Sequence, residues 1–273
     1  MDIVEWQGNL SLVISERTGK RLSSKYISNI RTCLFAILEA ANEWEVTEQN
    51  VMRKVKVPKV ETKEAPIIED KDLPLIMEEL KKHESYTIFF LLFYTGCRPS
   101  EIVGLKYKDY GTVDIEDGKK SKAFFVQRTS NEDNPKTESG RRTVILPPMV
   151  ASVLDEYIKK KSERNLVSLF AEKNDIIFTW QKPTKYGEPF SALYISRKFK
   201  KTIRKLGLDD SYYLYSFRHT HATNLLKKGV HAKIVSERLG HRDIKITLNT
   251  YSHVVPALQA KVITDNLLDL NVF

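Results

Sequence analysis

The sequence is poor in cysteine and contains no long hydrophobic run. Its 273 residues include two cysteines, Cys33 and Cys97, which provide neither a disulfide framework nor the paired spacing of a zinc site. The longest apolar stretch, residues 88–94, is far shorter than the roughly 18–20 residues that a membrane-spanning helix needs. The N-terminus also lacks the basic and apolar segments of a signal peptide. These absences predict a cytoplasmic protein with no membrane partner.

Basic residues are concentrated in the last third of the chain. The net charge is +9, and residues 181–273 hold 16 Lys or Arg against seven Asp or Glu. This segment therefore carries the whole excess, and the first 180 residues are balanced. A local excess of positive charge favours a polyanionic partner such as DNA, because phosphate contacts release counterions. A basic surface that is merely solvated explains the charge alone equally well.

The pattern along the chain predicts two units joined by a linker. Ser23 can cap a helix over residues 25–42, whose apolar face would contain Ile27, Ile30, Leu34, Ile37, Leu38 and Ala41. Residues 57–66 are charged and aperiodic and include two prolines, which is typical of a linker. We therefore assign a helical unit to residues 1–58, a linker to residues 59–67 and a larger domain to residues 68–273. The first unit is short for a domain, so further residues are expected upstream.

The larger domain is predicted to be mainly helical with a small antiparallel sheet. Two runs rich in β-forming residues, 123–127 and 142–146, flank a turn-rich segment over residues 130–140. This arrangement predicts a hairpin that carries Lys136 near its tip. Helical patterns fill most of the rest, at residues 70–82, 85–94, 99–105 and 148–163 and in much of the chain after residue 181.

Five of the six histidines lie between residues 219 and 253, among arginines and tyrosines. A metal site is one interpretation, but beside His219 and His221 no Cys, Asp or Glu falls at ligand spacing. Histidines packed in a core are the ordinary alternative. The order of the residues around the histidines favours a third interpretation.

Several segments resemble the motifs of the tyrosine recombinase (phage integrase) family. Residues 95–105 (TGCRPSEIVGL) look like the first arginine box of the family, and residues 134–143 (NPKTESGRRT) are similar to its lysine-bearing β-hairpin. The C-terminal motifs of the family are matched by residues 215–223 (YSFRHTHAT), 239–241 (LGH) and 250–253 (TYSH). The segments follow the family order, and the resemblance covers about residues 67–254, with a weaker helical match upstream.

The resemblance implies a mostly helical catalytic domain with a small antiparallel sheet, preceded by part of a helical core-binding domain. The two domains would clamp double-stranded DNA. The implied function is that of a site-specific recombinase or integrase of a mobile genetic element, active without metal, ATP or another cofactor. Assembly into a tetramer on DNA is implied, accessory proteins are a further option, and the setting would be a prokaryotic nucleoid. The apolar tail, residues 262–270, could pass to a neighbouring subunit or fold back on its own domain.

Phosphodiester chemistry suggests a role for each matching residue. The transition state carries negative charge on two non-bridging oxygens, which Arg98 and Arg218 could hold with forked hydrogen bonds. Tyr251 would be the nucleophile and would form a 3′-phosphotyrosine, with help from a proton acceptor because a phenol ionises near pH 10. Lys136 would protonate the leaving 5′-oxygen. His241, which follows a glycine, would bind a phosphate oxygen or help to position the nucleophile.

Tyr215 departs from the family pattern, which more often has histidine at this position. A phenol can donate a hydrogen bond to phosphate, but it is not a base near pH 7. We keep Tyr215 in the catalytic set and expect His219 or His241 to take over any role as base. Because Arg218 follows Tyr215 by three residues, both are expected on one helix face.

Two supporting residues complete the predicted site. Glu101 follows Arg98 by three residues and could close the start of a helix or orient that arginine. His219 is the second supporting residue.

Two other functions remain open, namely relaxation of supercoiled DNA in the manner of type IB topoisomerases, and DNA binding without cleavage. The complete set of candidate residues argues against binding alone, and the N-terminal helical unit favours a recombinase over a topoisomerase.

Overall fold

Helices dominate the part of the chain that the computed structural model describes, which comprises residues 3–16, 18–57, 65–127, 141–167 and 175–251. The prediction of a mainly helical chain with a small antiparallel sheet is confirmed. The chain divides into two units, residues 1–64 and residues 65–273. None of the helices in the described ranges is long and apolar enough to cross a membrane.

The first unit is built on two helices and one helical turn. Helix α1 spans Ile3–Leu10, helix α2 spans Ser24–Glu43, and a 3₁₀ turn covers Val51–Lys54. As predicted, Ser23 caps α2, since its hydroxyl oxygen accepts a hydrogen bond of 3.2 Å from the backbone N–H of Tyr26. This bond satisfies one of the N–H groups that a helix start leaves without a partner.

The predicted apolar face of α2 is only partly buried. Ile27 is buried, but Ile37 is 58% exposed, so the expectation for that residue is wrong. The buried polar residue on α2 is Arg31. Its guanidinium donates to the side chain of Gln7 at 3.1 Å and to the backbone carbonyl of Met52 at 3.3 Å. A charged group held by hydrogen bonds thus joins α1, α2 and the 3₁₀ turn, a link that apolar periodicity does not reveal.

The second unit contains eight helices and three strands in its described residues. The helices are α3 (Asp72–Lys81), α4 (Tyr86–Thr95), α5 (Pro99–Val103), α6 (Pro148–Val167), α7 (Ala192–Lys205), α8 (Ser216–Lys227), α9 (Ala232–Leu239) and α10 (Ile244–Thr250). The strands are β1 (Tyr110–Asp114), β2 (Lys120–Val126) and β3 (Arg142–Ile145).

Helix α4 forms the centre of the core because it is apolar on every side, which is typical of a fully buried helix. It packs against α3, α5, α6 and α8. Phe93 meets Phe217 of α8 with ring centroids 5.7 Å apart. The helix ends at Gly96, whose φ of +66° is the left-handed conformation common at helix ends. A Cβ atom at this position would lie 2.7 Å from the ring of His221.

The three strands form an antiparallel sheet in the order β1-β2-β3. The two predicted strands correspond to β2 and β3, and their register pairs Val126 with Arg142. Strand β1 was not predicted, because this short edge strand contains Gly111 and shows little alternation. The segment between β2 and β3 that is predicted to form a turn carrying Lys136 lies outside the described residues.

Candidate active site

Arg98 is the residue that immediately precedes α5. Pro99 occupies the first position of the helix, where a missing N–H costs nothing. The carboxylate of Glu101 accepts a hydrogen bond of 2.7 Å from the backbone N–H of Arg98 and one of 2.8 Å from its Nη1. Glu101 therefore both closes the helix start and orients the guanidinium. The Arg98 side chain is 33% exposed, so a ligand can reach it.

A third arginine, Arg142 on β3, shares the carboxylate of Glu101. Its Nη1 and Nη2 donate to Oε1 and Oε2 at 3.0 and 2.8 Å. Its Nε donates to the carbonyl of Arg238 at 2.7 Å. Burial alone would raise the pKa of Glu101, but the hydrogen bonds and charges of Arg142 and Arg98 outweigh it and lower the pKa to about 2. Glu101 is thus ionised at neutral pH.

Arg218 is almost completely buried and connects two helix ends. Its Nη1 donates to the carbonyl of Gly96 at 2.6 Å and its Nη2 to the carbonyl of Leu239 at 2.7 Å. These carbonyls lie at the C-terminal ends of α4 and α9, where the helix dipole favours a cation. Burial, with a further contribution from Arg98, lowers the pKa of Arg218 to about 10. The side chain therefore remains charged at neutral pH.

Arg98 and Arg218 meet at the end of α9. Arg218 donates to the carbonyl of Leu239, and Nη2 of Arg98 donates to the next carbonyl, that of Gly240, at 3.1 Å. Gly240 has a φ of +71°, and a Cβ atom there would lie 2.7 Å from Nη1 of Arg142. A larger residue would therefore disturb the arginine cluster. Two guanidiniums far apart in the sequence are thus bound to adjacent main-chain carbonyls.

His241 directly follows this turn. Its Nδ1 lies 2.7 Å from the hydroxyl of Thr247, which is completely buried. Burial, together with the charges of Arg218 and Arg98, lowers the pKa of His241 to about 3. The imidazole is neutral at physiological pH. In the tautomer whose Nδ1 accepts from Thr247, the proton is on Nε2, from which the ring can donate to an anion.

Tyr251 directly follows α10 and is 3% exposed. It packs in a small cluster with Ala222, Leu226, Val235 and Leu239. Burial raises its pKa to about 12, although the charge of Arg218 acts in the opposite direction. Its hydroxyl lies 3.2 Å from Nδ1 of His219. The candidate nucleophile is therefore a neutral phenol at neutral pH and contacts a group able to accept its proton.

Tyr215 does not share the surroundings of Arg218, contrary to expectation. It directly precedes α8 and is 40% exposed, whereas Arg218 inside the helix is 5% exposed. The ring of Tyr215 stacks on that of Tyr213, with centroids 6.4 Å apart. The helical conformation does extend back to Tyr215, whose φ of −68° and ψ of −14° are helical and whose carbonyl accepts a 3.0 Å hydrogen bond from the N–H of His219. The difference lies in what surrounds the two side chains, because Arg218 is enclosed by the ends of α4 and α9.

The predicted residues form two groups in the structure. Arg98, Glu101, Arg218 and His241 belong to one network, and Tyr251 contacts His219 beside it. Lys136 lies among residues 128–140, which the structure does not describe. Within the described ranges, no group of three or more His, Cys, Asp or Glu side chains is arranged to hold a metal ion.

Sequence reasoning missed Arg142 and Tyr213. Arg142 precedes the buried Val144 by two residues on β3, so strand periodicity places both side chains on the inward face. A charged residue at an inward position is the signal that could have identified it. Tyr213 precedes α8 in an irregular segment, and no periodic pattern marks it.

Comparison with known proteins gives a consistent result over most of the chain. Residues 66–257 match the model of the family described as "Phage integrase family". The chain is 31% identical over 239 residues to a protein named tyrosine recombinase XerC-like from Caldanaerobacter subterraneus subsp. tengcongensis, covering 80% of this chain and 59% of the relative. The chain therefore spans less than two thirds of that relative's length.

Two further proteins extend the comparison. The ICEBs1 integrase of Bacillus subtilis is 27% identical over 259 residues, which is 91% of this chain and 67% of the relative. Among solved structures, the Tn1549 transposon integrase in complex with transposon right end DNA superposes with a TM-score of 0.68 at 21% identity. That match covers 95% of this chain and 83% of the other, and at this identity it supports the fold alone.

Proposed function

This chain belongs to the phage integrase family, the tyrosine recombinases, and on that premise we propose that it is a site-specific recombinase or integrase of a mobile genetic element. Its substrate would be double-stranded DNA. Relatives named for an integrative element, a transposon and a phage support the assignment to mobile elements. A solved neighbour bound to transposon end DNA supports the choice of partner.

One observation carries this proposal: Arg98 and Arg218 donate to the consecutive carbonyls of Gly240 and Leu239, immediately before His241. A displacement at phosphorus needs positive, preorganised donors for its non-bridging oxygens. The fold brings two guanidiniums and a neutral imidazole together around the end of α9. This arrangement suits a phosphodiester better than a metal ion, which cations would repel.

The reaction would begin when Oη of Tyr251 attacks a DNA phosphorus and the bond to the 5′-oxygen breaks. The products are a 3′-phosphotyrosine and a 5′-hydroxyl, which takes its proton from Lys136 in this proposal. A second 5′-hydroxyl then attacks the phosphotyrosine and releases Tyr251. Because the phosphotyrosine retains the energy of the broken bond, rejoining needs no ATP.

The same proposal includes the division of the chain and its assembly. Residues 1–58 would be part of a core-binding domain, residues 59–67 a linker and residues 68–273 the catalytic domain. The boundary between residues 64 and 65 that separates the two units falls within this linker. A tetramer on two DNA sites and accessory proteins belong to the proposal by family resemblance.

The test is covalent trapping on a nicked DNA duplex that spans an end of the mobile element. The nick lets the 5′-fragment leave, so cleavage accumulates as an SDS-stable adduct. We expect the adduct with wild type, none with Tyr251→Phe, and a rate about 100-fold lower with Arg218→Lys, as for loss of one oxyanion donor.

The other outcomes separate the alternative functions. Adduct formation and relaxation on plasmid DNA without the element's end would indicate a topoisomerase-like enzyme. If wild type and Arg218→Ala bind the duplex equally well and neither forms an adduct, the catalytic assignment fails and DNA binding alone remains. His83 is a partly buried residue that follows α3, and His83→Gln serves as a control that should leave the rate unchanged.

A further inference from the structure

His219 lies between two tyrosine hydroxyls. Its Nδ1 is 3.2 Å from Oη of Tyr251, and its Nε2 is 3.3 Å from Oη of Tyr213. Tyr251 follows α10, His219 lies in the first turn of α8, and Tyr213 precedes α8. Each ring nitrogen of the histidine therefore faces a phenol from a different part of the domain.

Either tautomer of a neutral imidazole fits this geometry, because each phenol can donate or accept a hydrogen bond. The tautomer in which Nδ1 can accept a proton carries its own proton on Nε2. With the proton on Nε2, the ring donates to the hydroxyl of Tyr213, and the lone pair of Nδ1 faces Tyr251. The hydroxyl of Tyr251 can then donate to Nδ1. A nucleophile, a base and a third group that orients the base are arranged in the order used by other activated hydroxyl nucleophiles.

Tyr251 requires a base because burial raises its pKa to about 12. His241 is poorly suited, since its Nδ1 is engaged by Thr247 and its pKa of about 3 makes it a weak proton acceptor. Tyr215 is a phenol and is not basic near pH 7. Among the candidates in the described residues, His219 is the histidine that contacts the nucleophilic oxygen.

Resting on the proposed function, we propose that His219 is the general base that removes the phenolic proton of Tyr251 during DNA cleavage, with Tyr213 holding it in the required tautomer. As Oη bonds to phosphorus, the proton moves to Nδ1 and the bond to the 5′-oxygen breaks. The leaving oxygen takes its proton from another group, the role proposed for Lys136. In rejoining, a 5′-hydroxyl gives its proton back to the amine proposed as the acid, that of Lys136, and attacks phosphorus. The bond to Oη breaks, and the imidazolium returns its proton to Tyr251.

Charged neighbours influence the pKa values of the residues around Tyr251 and His219. The charge of Arg218 lowers the pKa of Tyr251, and the charge of His219 lowers that of His241. A protonated His219 would remain beside Tyr251, on which the charge of Arg218 also acts, so two positive charges would be close together before DNA binds. A bound phosphate between the arginines would offset that repulsion, so proton transfer would be favoured when DNA is in place.

The experiment is single-turnover cleavage of the nicked duplex from about pH 6.5 to about pH 9.5, with wild type, His219→Gln and His83→Gln. Glutamine retains a polar group but cannot take up a proton. We expect a deficit of about 100-fold for His219→Gln near pH 7.5, as for loss of general base catalysis. The deficit should shrink about tenfold per pH unit, because the phenolate fraction rises with pH. His83→Gln should follow wild type.

A second variant tests the orienting role and covers the case in which His219→Gln does not fold. Tyr213→Phe should slow cleavage by about threefold to tenfold, as for loss of one hydrogen bond, with DNA affinity and Tm unchanged. Free imidazole should restore part of the activity of His219→Ala.

The outcomes that overturn the inference are specific. A deficit of His219→Gln that stays constant with pH would mean that the residue acts by packing, and an unchanged rate in Tyr213→Phe would remove the orienting partner. If wild type itself forms no adduct, the proposed function fails, and the inference fails with it.

Discussion

At the scale of single residues, Glu101 is the acidic group on which two arginine side chains depend. It is 5% exposed. Its carboxylate accepts hydrogen bonds of 3.0 and 2.8 Å from Arg142 and one of 2.8 Å from the side chain of Arg98. The Arg142 side chain is itself 7% exposed. Removing the carboxylate would leave a buried guanidinium without its counter-charge, which costs far more than the loss of a surface ion pair.

We therefore expect Glu101→Gln to lower the free energy of unfolding by about 3 kcal/mol. The amide has the size of the carboxylate, but it carries no charge and turns N–H groups towards the arginines. Chemical denaturation at neutral pH measures the change. The matched control is Glu78→Gln, because Glu78 pairs with Lys81 on an exposed surface and should change stability by less than about 0.5 kcal/mol. Equal stability of the two variants would contradict a structural role for the buried cluster.

At the scale of elements, Arg142 and Arg238 fasten β3 to α9 from both sides. Nε of Arg142 donates to the carbonyl of Arg238 at 2.7 Å, and Nη1 of Arg238 donates to the carbonyl of Ile145 at 3.2 Å. Strand β3 directly follows the segment that contains Lys136. Helix α9 ends at the carbonyls that receive Arg98 and Arg218. The two hydrogen bonds between β3 and α9 therefore connect the strand that follows Lys136 in the sequence to the helix end that binds Arg98 and Arg218.

Arg142→Lys should slow single-turnover DNA cleavage by about tenfold, because an ammonium cannot reproduce a forked bond to a carboxylate worth about 1.5–3 kcal/mol. DNA affinity should change less than twofold. The neighbouring Arg141 is exposed, so Arg141→Lys is a matched control expected to retain the wild-type rate. Indistinguishable rates for the two variants would show that the tie between β3 and α9 does not support the reaction.

The elements most readily predicted were those with strong local patterns. Helix α4 follows from an apolar run closed by Gly96, and the start of α2 follows from Ser23. Strand β1 lacks such a pattern, since it is a short edge strand whose pairing with β2 provides its stability. The exposed Ile37 shows the same limit, because burial of a helix face depends on what packs against it.

For the candidate site, the sequence predicts which residues take part but not how they are arranged. Arg98, Arg218, His241 and Tyr251 stand in motifs that resemble a family, so their identity could be predicted. Their arrangement could not be predicted, because it depends on main-chain carbonyls of Gly96, Leu239 and Gly240. The contact of His219 with Tyr213 and Tyr251 also depends on where α8 begins and α10 ends, which a linear pattern fixes only to within a few residues.

At the scale of the whole molecule, two partly buried histidines of the second unit link its stability to pH. His221 accepts a hydrogen bond of 3.2 Å from Nε of Arg238. Burial, with the charges of Arg238 and Arg218, lowers its pKa to about 3, and the pKa of His241 is also about 3. In the unfolded chain, both groups would titrate near the ordinary histidine value of about 6.5.

These values fix the sign of the pH dependence. Between about pH 6.5 and about pH 3, the unfolded state binds more protons than the folded state, so the free energy of unfolding falls as the pH falls. Glu101, with a pKa of about 2, adds a loss in the same direction only below its unfolded value of about 4.3. Between about pH 6.5 and about pH 4.5, the change in the free energy of unfolding therefore reflects mainly the protonation of these two histidines.

His221→Gln should flatten the loss of stability across that interval. The glutamine carbonyl can still accept from Arg238, but the side chain does not take up a proton, so the unfolded state loses one binding site. Urea unfolding at several pH values measures the slope. His83→Gln is the control. Burial also lowers the pKa of His83, but this residue is less enclosed and should contribute less to the pH dependence of stability. If His221→Gln and wild type lose stability in parallel, the proton uptake that destabilises the domain occurs elsewhere, and the hydrogen bond between neutral His221 and charged Arg238 does not control its response to acid.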